Sequence, residues 1–148
     1  MKNALIATLA ATTLLAAAAF ADTEDPIEQR QELMKQTREA LKPLMGMTKG
    51  EIDFDVVTMR KSLAVFAETG KQFGDLFPPG SETGHDTEAK STIWSDPDGF
   101  RDALGEYNHM VSTTIQANPH SVEGLKFSLN NILKTCKGCH DDYRVEKD

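Results

Sequence analysis

Cysteine is scarce here, with two residues in 148, so at most one disulfide can form. Basic side chains are also in deficit. Sixteen Lys and Arg stand against 23 Asp and Glu, a net charge of −7. Nucleic acid and anionic membrane surfaces would both repel such a chain, which excludes them as partners. A soluble protein that meets basic patches on other proteins fits the same balance. Strand-like alternation, internal repeats and low-complexity tracts are missing. Beyond residue 21 there is no apolar run long enough to span a membrane.

The first twenty-one residues read as a secretory signal peptide. Lys2 gives a basic start, Ala4 to Ala19 is almost unbroken apolar sequence, and Ala19-Phe20-Ala21 is a small-x-small cleavage pattern. The competing reading is an uncleaved anchor, for which the run is short and wrongly flanked. Cleavage leaves one domain, 22–148, in the periplasm, an oxidising compartment.

Helical periodicity recurs four times. The first helix opens at Asp25-Pro26-Ile27-Glu28, with Asp25 as cap and Pro26 in the first turn, and places Ile27, Met34, Leu41 and Met45 on one face. Pro43 and Gly46 are expected to end or kink it. The second runs from Asp53 to about Lys71 with a stripe of Val56, Met59, Leu63, Phe66 and Phe73. A long connection follows from Gly74 to Ser95, the length that marks a functional loop or a crossover. Ser95 or Asp96 caps the third helix ahead of Pro97, with a stripe of Phe100, Leu104, Tyr107, Val111 and Ile115. Asn118-Pro119 breaks it. Ser121 caps the fourth, whose stripe is Leu125, Leu129, Ile132, Cys136, Cys139 or His140, and Tyr143. The fold class is therefore all-α, an antiparallel four-helix bundle.

Cys136-Lys137-Gly138-Cys139-His140 has the C-x-x-C-H spacing of c-type haem attachment. Thiols one helical turn apart can each form a thioether to a vinyl group of one porphyrin. The adjoining histidine then comes beneath the iron, and Gly138 lets the backbone lie close to the ring. A Cys136–Cys139 disulfide would strain a helix and leave His140 unexplained. A thioredoxin-like pair lacks its βαβ setting. A zinc site lacks a second pair of ligands at metal spacing. Because the motif lies on the last helix, any second iron ligand must come from upstream.

Arg30-Gln31-x-x-Met34, Ala89-Lys90-x-x-Ile93-Trp94 and Cys136-x-x-Cys139-His140-x-x-Tyr143-Arg144 together resemble the class II c-type cytochromes, the cytochrome c′ and cytochrome c-556 group, across essentially the whole mature chain. The resemblance implies a four-helix bundle with one haem c, covalently attached and carrying iron, packed inside near one end. It also implies that Arg30 and Gln31 meet the haem edge and propionates, that the stretch at Glu88 lies beside the haem, and that Arg144 lies near the proximal imidazole. The loop at Ser81 to Thr87 departs from the family pattern. Apart from the resemblance, an arginine on this face either meets such a group or snorkels to solvent.

Met34 points inward with its stripe, which by itself is what a packing methionine does. The resemblance places it at the distal haem position. A His140/Met34 pair would make a low-spin centre that carries single electrons between redox partner proteins, because methionine ligation favours reduced iron and little rearranges on transfer. The alternative is a five-coordinate cytochrome c′ with an open distal side that binds nitric oxide or carbon monoxide, Met34 acting as a lid. Neither is an enzyme. A peroxidase reading lacks an inward histidine or acid to act as base. His85, His109 and His120 read as surface residues, Trp94 as a packing anchor, and Met45, Met47, Met59 and Met110 as filler. The family also admits a homodimer through the first two helices.

Overall fold

The computed structural model describes residues 25–146; the signal-peptide reading and the boundary at Asp22 lie outside the described residues. Four long helices build the bundle: α1 (Pro26–Lys49), α2 (Val56–Gln72), α4 (Pro97–Ala117) and α5 (Val122–Tyr143). A 3-10 turn (Phe73–Leu76) and the single-turn α3 (Thr92–Ser95) interrupt the long connection. The helices close a ring in which α1 packs on α2, α2 on α4, α4 on α5 and α5 back on α1. Among the described residues there is no strand, only an isolated antiparallel bridge between Ala89 and Arg144, and no helix is long and apolar enough to cross a membrane.

Side-chain caps start the helices. Asp25 accepts from the amides of Ile27 and Glu28, Asp96 from that of Gly99, and Ser121 from that of Gly124, each satisfying an amide that the helix leaves unpaired. The second helix is capped by Asp55, which accepts from the amides of Val57 and Thr58, so α2 begins three residues later than the expected start at Asp53.

Pro43 and Gly46 do not end α1. The helix continues through Pro43 and Gly46 to Lys49 and ends at Gly50, whose φ of 73° is left-handed. Proline forfeits one hydrogen bond, but Leu44 and Met47, both essentially inaccessible, pin the following turn into the core. Gly46 serves as a seat. Its carbonyl accepts from the Glu51 amide at 2.9 Å, and an added Cβ would lie 3.2 Å from Ile52. The fully buried residues of α1 are Ile27, Arg30, Leu44, Gly46 and Met47; of the expected stripe, Leu41 and Met45 are half-buried and pack against the core, and Met34 is half-buried.

The core gathers Leu44, Met47, Met59, Leu63, Phe66, Tyr107, Val111, Leu125, Leu129 and Ile132, with Cys136 packed against it. In the last turn of α4 the buried residue is Thr114, not the expected Ile115, which is exposed. The Thr114 hydroxyl returns its hydrogen bond to the Met110 carbonyl, which is how a polar residue enters the interior. Met47 and Met59 are core residues.

Candidate functional site

Antiparallel packing brings the start of α1, the end of α2, the start of α4 and the end of α5 to one end of the bundle. The long connection covers that end. Cys136 and Cys139 lie one turn apart on α5, both half-buried, and both thiols are free. Burial pushes the Cys136 thiol up, and Cys139 up to about 11, with the charges of Cys136 and Asp142 adding to the second. Neither thiol has the depressed pKa of a redox-active cysteine pair. Among the described residues no cluster of three or more His, Cys, Asp or Glu could hold a bare metal ion.

His140 follows on the exposed shoulder of the same helix. Partial desolvation, then the charge of Arg144, pulls its imidazole below the ordinary value, while Asp141 and Glu88 pull the other way. A neutral imidazole has a lone pair for a metal. Gly138 is exposed, and a Cβ there would meet nothing within 4 Å, so the backbone side of the motif is open to a flat group. Two free sulfurs one turn apart, a neutral imidazole next to them and an open glycine form a donor set that fits a covalently attached haem.

Arg30 does not snorkel. It is only 4% exposed. Nη1 donates to the Leu76 carbonyl at 3.0 Å and to Ser81 Oγ at 3.2 Å; Nη2 donates to the Ser81 carbonyl at 2.8 Å and to Thr87 Oγ1 at 2.7 Å. Its guanidinium also lies 4.6 Å from the Phe77 ring centroid and 5.8 Å from that of Trp94. Burial lowers its pKa, against the pull of Asp25 and Glu82. Gln31 is exposed and donates to the His85 carbonyl at 2.8 Å. Both residues therefore hold the loop, which reverses over α1 through three consecutive positive-φ residues, Gly84, His85 and Asp86. His85 is exposed as expected, yet its ring nitrogens face Asp25 at 3.4 Å and Glu28 at 3.2 Å.

Met34 lies one turn past Arg30. It is a partly buried methionine outside the apolar core cluster, to which α1 contributes from Ala40 onward.

The far part of the connection straps the end of α5. Glu88 pairs with Arg144 Nε at 2.9 Å, the Lys90 amide donates to the Tyr143 carbonyl at 2.9 Å, and the Val145 amide donates to the Glu88 carbonyl at 2.7 Å. Lys90 Nζ and Thr92 Oγ1 cap the Asp141 and Asp142 carbonyls. Trp94 anchors the connection as expected, its indole donating to the Phe77 carbonyl at 3.1 Å. Edge-to-face rings then run from Trp94 through Phe77 and Phe100 to Tyr143. Ser81, Thr87 and Thr92 are site-building residues that sequence reasoning gave no role, and Lys90 stood there only as part of a motif. Ser81 Oγ closes the Pro78-Pro79-Gly80 turn onto the Pro78 carbonyl at 2.9 Å.

A family model described as Cytochrome C′ matches residues 25–144. A cytochrome c′ from Rhodopseudomonas palustris is 38% identical over 142 residues, covering 96% of this chain and 97% of that protein. A cytochrome c-556 from Agrobacterium tumefaciens is 31% identical over 121 residues, covering 82% and 95%. The solved structure of cytochrome c′ from Rhodopseudomonas palustris superposes with a TM-score of 0.80 at 38% identity, covering 84% of this chain and 98% of that one.

Proposed function

The chain belongs to the cytochrome c′ family, and from that premise we propose that it is an exported one-electron carrier of the periplasm. Proteins of this family hold one haem c, covalently attached and carrying iron. When bound, that group supplies a ferric/ferrous couple. In this reading Cys136 and Cys139 supply the two thioether sulfurs, and His140 offers its neutral imidazole to one face of the iron. Met34 offers its thioether to the other, favouring the reduced state. Arg30 and Gln31 border the haem edge by holding the loop over it, and the Glu88 segment closes the edge from the α5 side. The partners are other redox proteins, and residues 1–21 direct export. Neither this reading nor the next involves turnover of a substrate.

The observation that carries the assignment is Met34, half-buried on α1, one turn from Arg30 and outside the apolar core cluster. A thioether at that place, one turn from a buried arginine and at the end of the bundle that carries the C-x-x-C-H motif, is within the part of the fold where a second iron ligand is needed.

A second reading is favoured by one fact: the 38% identical relative is named a cytochrome c′, whereas the relative named c-556 is 31% identical. In it the distal side is open, Met34 is a steric lid, and nitric oxide or carbon monoxide binds without displacing a strong ligand. Absorption spectra of oxidised and reduced protein separate the two. The carrier shows low-spin bands with a methionine–iron charge-transfer feature that disappears in Met34→Ala. A high-spin wild type that binds carbon monoxide rapidly overturns the carrier and establishes the second reading.

A further inference from the structure

The strap across the end of α5 puts two opposite charges next to the residue assigned to the iron. Arg144 is one turn beyond His140, and its amide donates to the His140 carbonyl at 3.1 Å. Glu88 comes from the other side of the sequence, 56 positions earlier, and reaches the Arg144 guanidinium at 2.9 Å. This is not a loose surface pair. The Ala89–Arg144 bridge and the Lys90–Tyr143 and Val145–Glu88 hydrogen bonds fix the backbones of both partners in register. The Lys90 and Thr92 side chains tie the same strap to the last carbonyls of α5. The side chains are 34% and 49% exposed, so solvent screens the pair only in part. The fixed backbones bring the two partners together, so that only side-chain torsions remain to be ordered.

Two charges of opposite sign near a redox centre act on it oppositely. A carboxylate stabilises the more positive, oxidised state, and a guanidinium stabilises the reduced one. Where the two are clamped together, their fields largely cancel, and the residual field depends on the geometry of the clamp. We propose that Glu88 is a positioning residue for the redox centre: its carboxylate holds the Arg144 guanidinium beside His140, and the pair sets the reduction potential of the iron that His140 carries. This rests on the haem assignment above. The strap thereby gives the long connection an electrostatic part in electron transfer as well as a covering one.

The test uses full-length, exported, haem-loaded protein, with covalent haem confirmed for every sample by mass and by the reduced absorption spectrum. A chain without haem has no potential to measure, so failure of the haem assignment is seen before this step. Spectroelectrochemical titration is then carried out on wild type, Glu88→Gln, Arg144→Gln and the double variant, at low and high salt. Glu88→Gln is expected to raise the potential and Arg144→Gln to lower it. The double variant should lie nearer wild type than the larger single shift, and should differ from the sum of the two. All shifts should shrink with added salt. Arg144→Lys, which keeps the charge without the guanidinium fork, should recover part of the Arg144→Gln shift. Glu88→Ala serves as a second probe should Glu88→Gln load haem poorly: it removes the same charge and should raise the potential likewise. Potentials equal to wild type in both single variants, shifts of the same sign, or a strictly additive double variant would overturn the proposal.

Discussion

Arg30 and Ser81, fifty-one positions apart, are joined twice: Nη2 donates to the Ser81 carbonyl at 2.8 Å and Nη1 to Ser81 Oγ at 3.2 Å. A buried guanidinium is costly unless its donors are satisfied, and here neutral oxygens of the loop satisfy them in place of a carboxylate. One residue of α1 thus holds the roof over the end of the bundle where α5 presents Cys136, Cys139 and His140.

Removing that side chain leaves the Leu76 and Ser81 carbonyls and the Thr87 hydroxyl short of a buried donor. Arg30→Ala should cost about 3 kcal/mol of unfolding free energy, measured by urea denaturation of haem-loaded protein. Arg30→Lys should recover only part of it, because an ammonium cannot reproduce the fork. A loss in Arg30→Ala well under about 1 kcal/mol, the range of an ordinary surface substitution, would show that the loop is held by something else.

At the other end of α5, Leu125 is fully inaccessible and belongs to the core. Leu125→Ala should destabilise the protein by about 2–5 kcal/mol. The visible spectrum of the loaded protein should stay unchanged, since Leu125 is three helical turns before Cys136. A spectral change would mean that the core and the cofactor end are not separable units.

Asp55 gives a pH-dependent contribution whose sign can be worked out. The Thr58 hydroxyl first, then the Thr58 and Val57 amides, hold its carboxyl below the usual carboxylate value. A depressed folded-state value adds stability that is present above the unfolded value and is lost as pH falls through the folded one. The melting-temperature advantage of wild type over Asp55→Asn should therefore be largest at neutral pH and shrink in acid below the carboxylate range. An advantage that stays constant, or grows, as pH falls would contradict this account of the cap.

What could be read from the sequence was local. Caps at Asp25, Asp96 and Ser121 act within three residues, and a five-residue motif on one helix needs no tertiary information. The stripes of α2, α4 and α5 were legible because packing follows helical period. What could not be read was decided at a distance. Pro43 looks like a stop until Leu44 and Met47 are seen in the core. Thr114 replaces Ile115 through a bond to its own helix. The partners of Arg30 and Arg144 come from 46 to 57 positions away, from a connection with little periodicity. A buried arginine on a helix stripe did signal an unusual neighbour, but not which one.

The assignment to Cys136, Cys139 and His140 has a direct measurement: intact mass of the protein purified from the periplasm after acid–acetone extraction, compared with Cys136→Ala/Cys139→Ala. The account predicts a wild-type chain beginning at Asp22 and heavier than its polypeptide by one haem, and a double variant that gives up all haem to the solvent. Bare polypeptide mass in the wild type, or haem retained by the double variant, would contradict it.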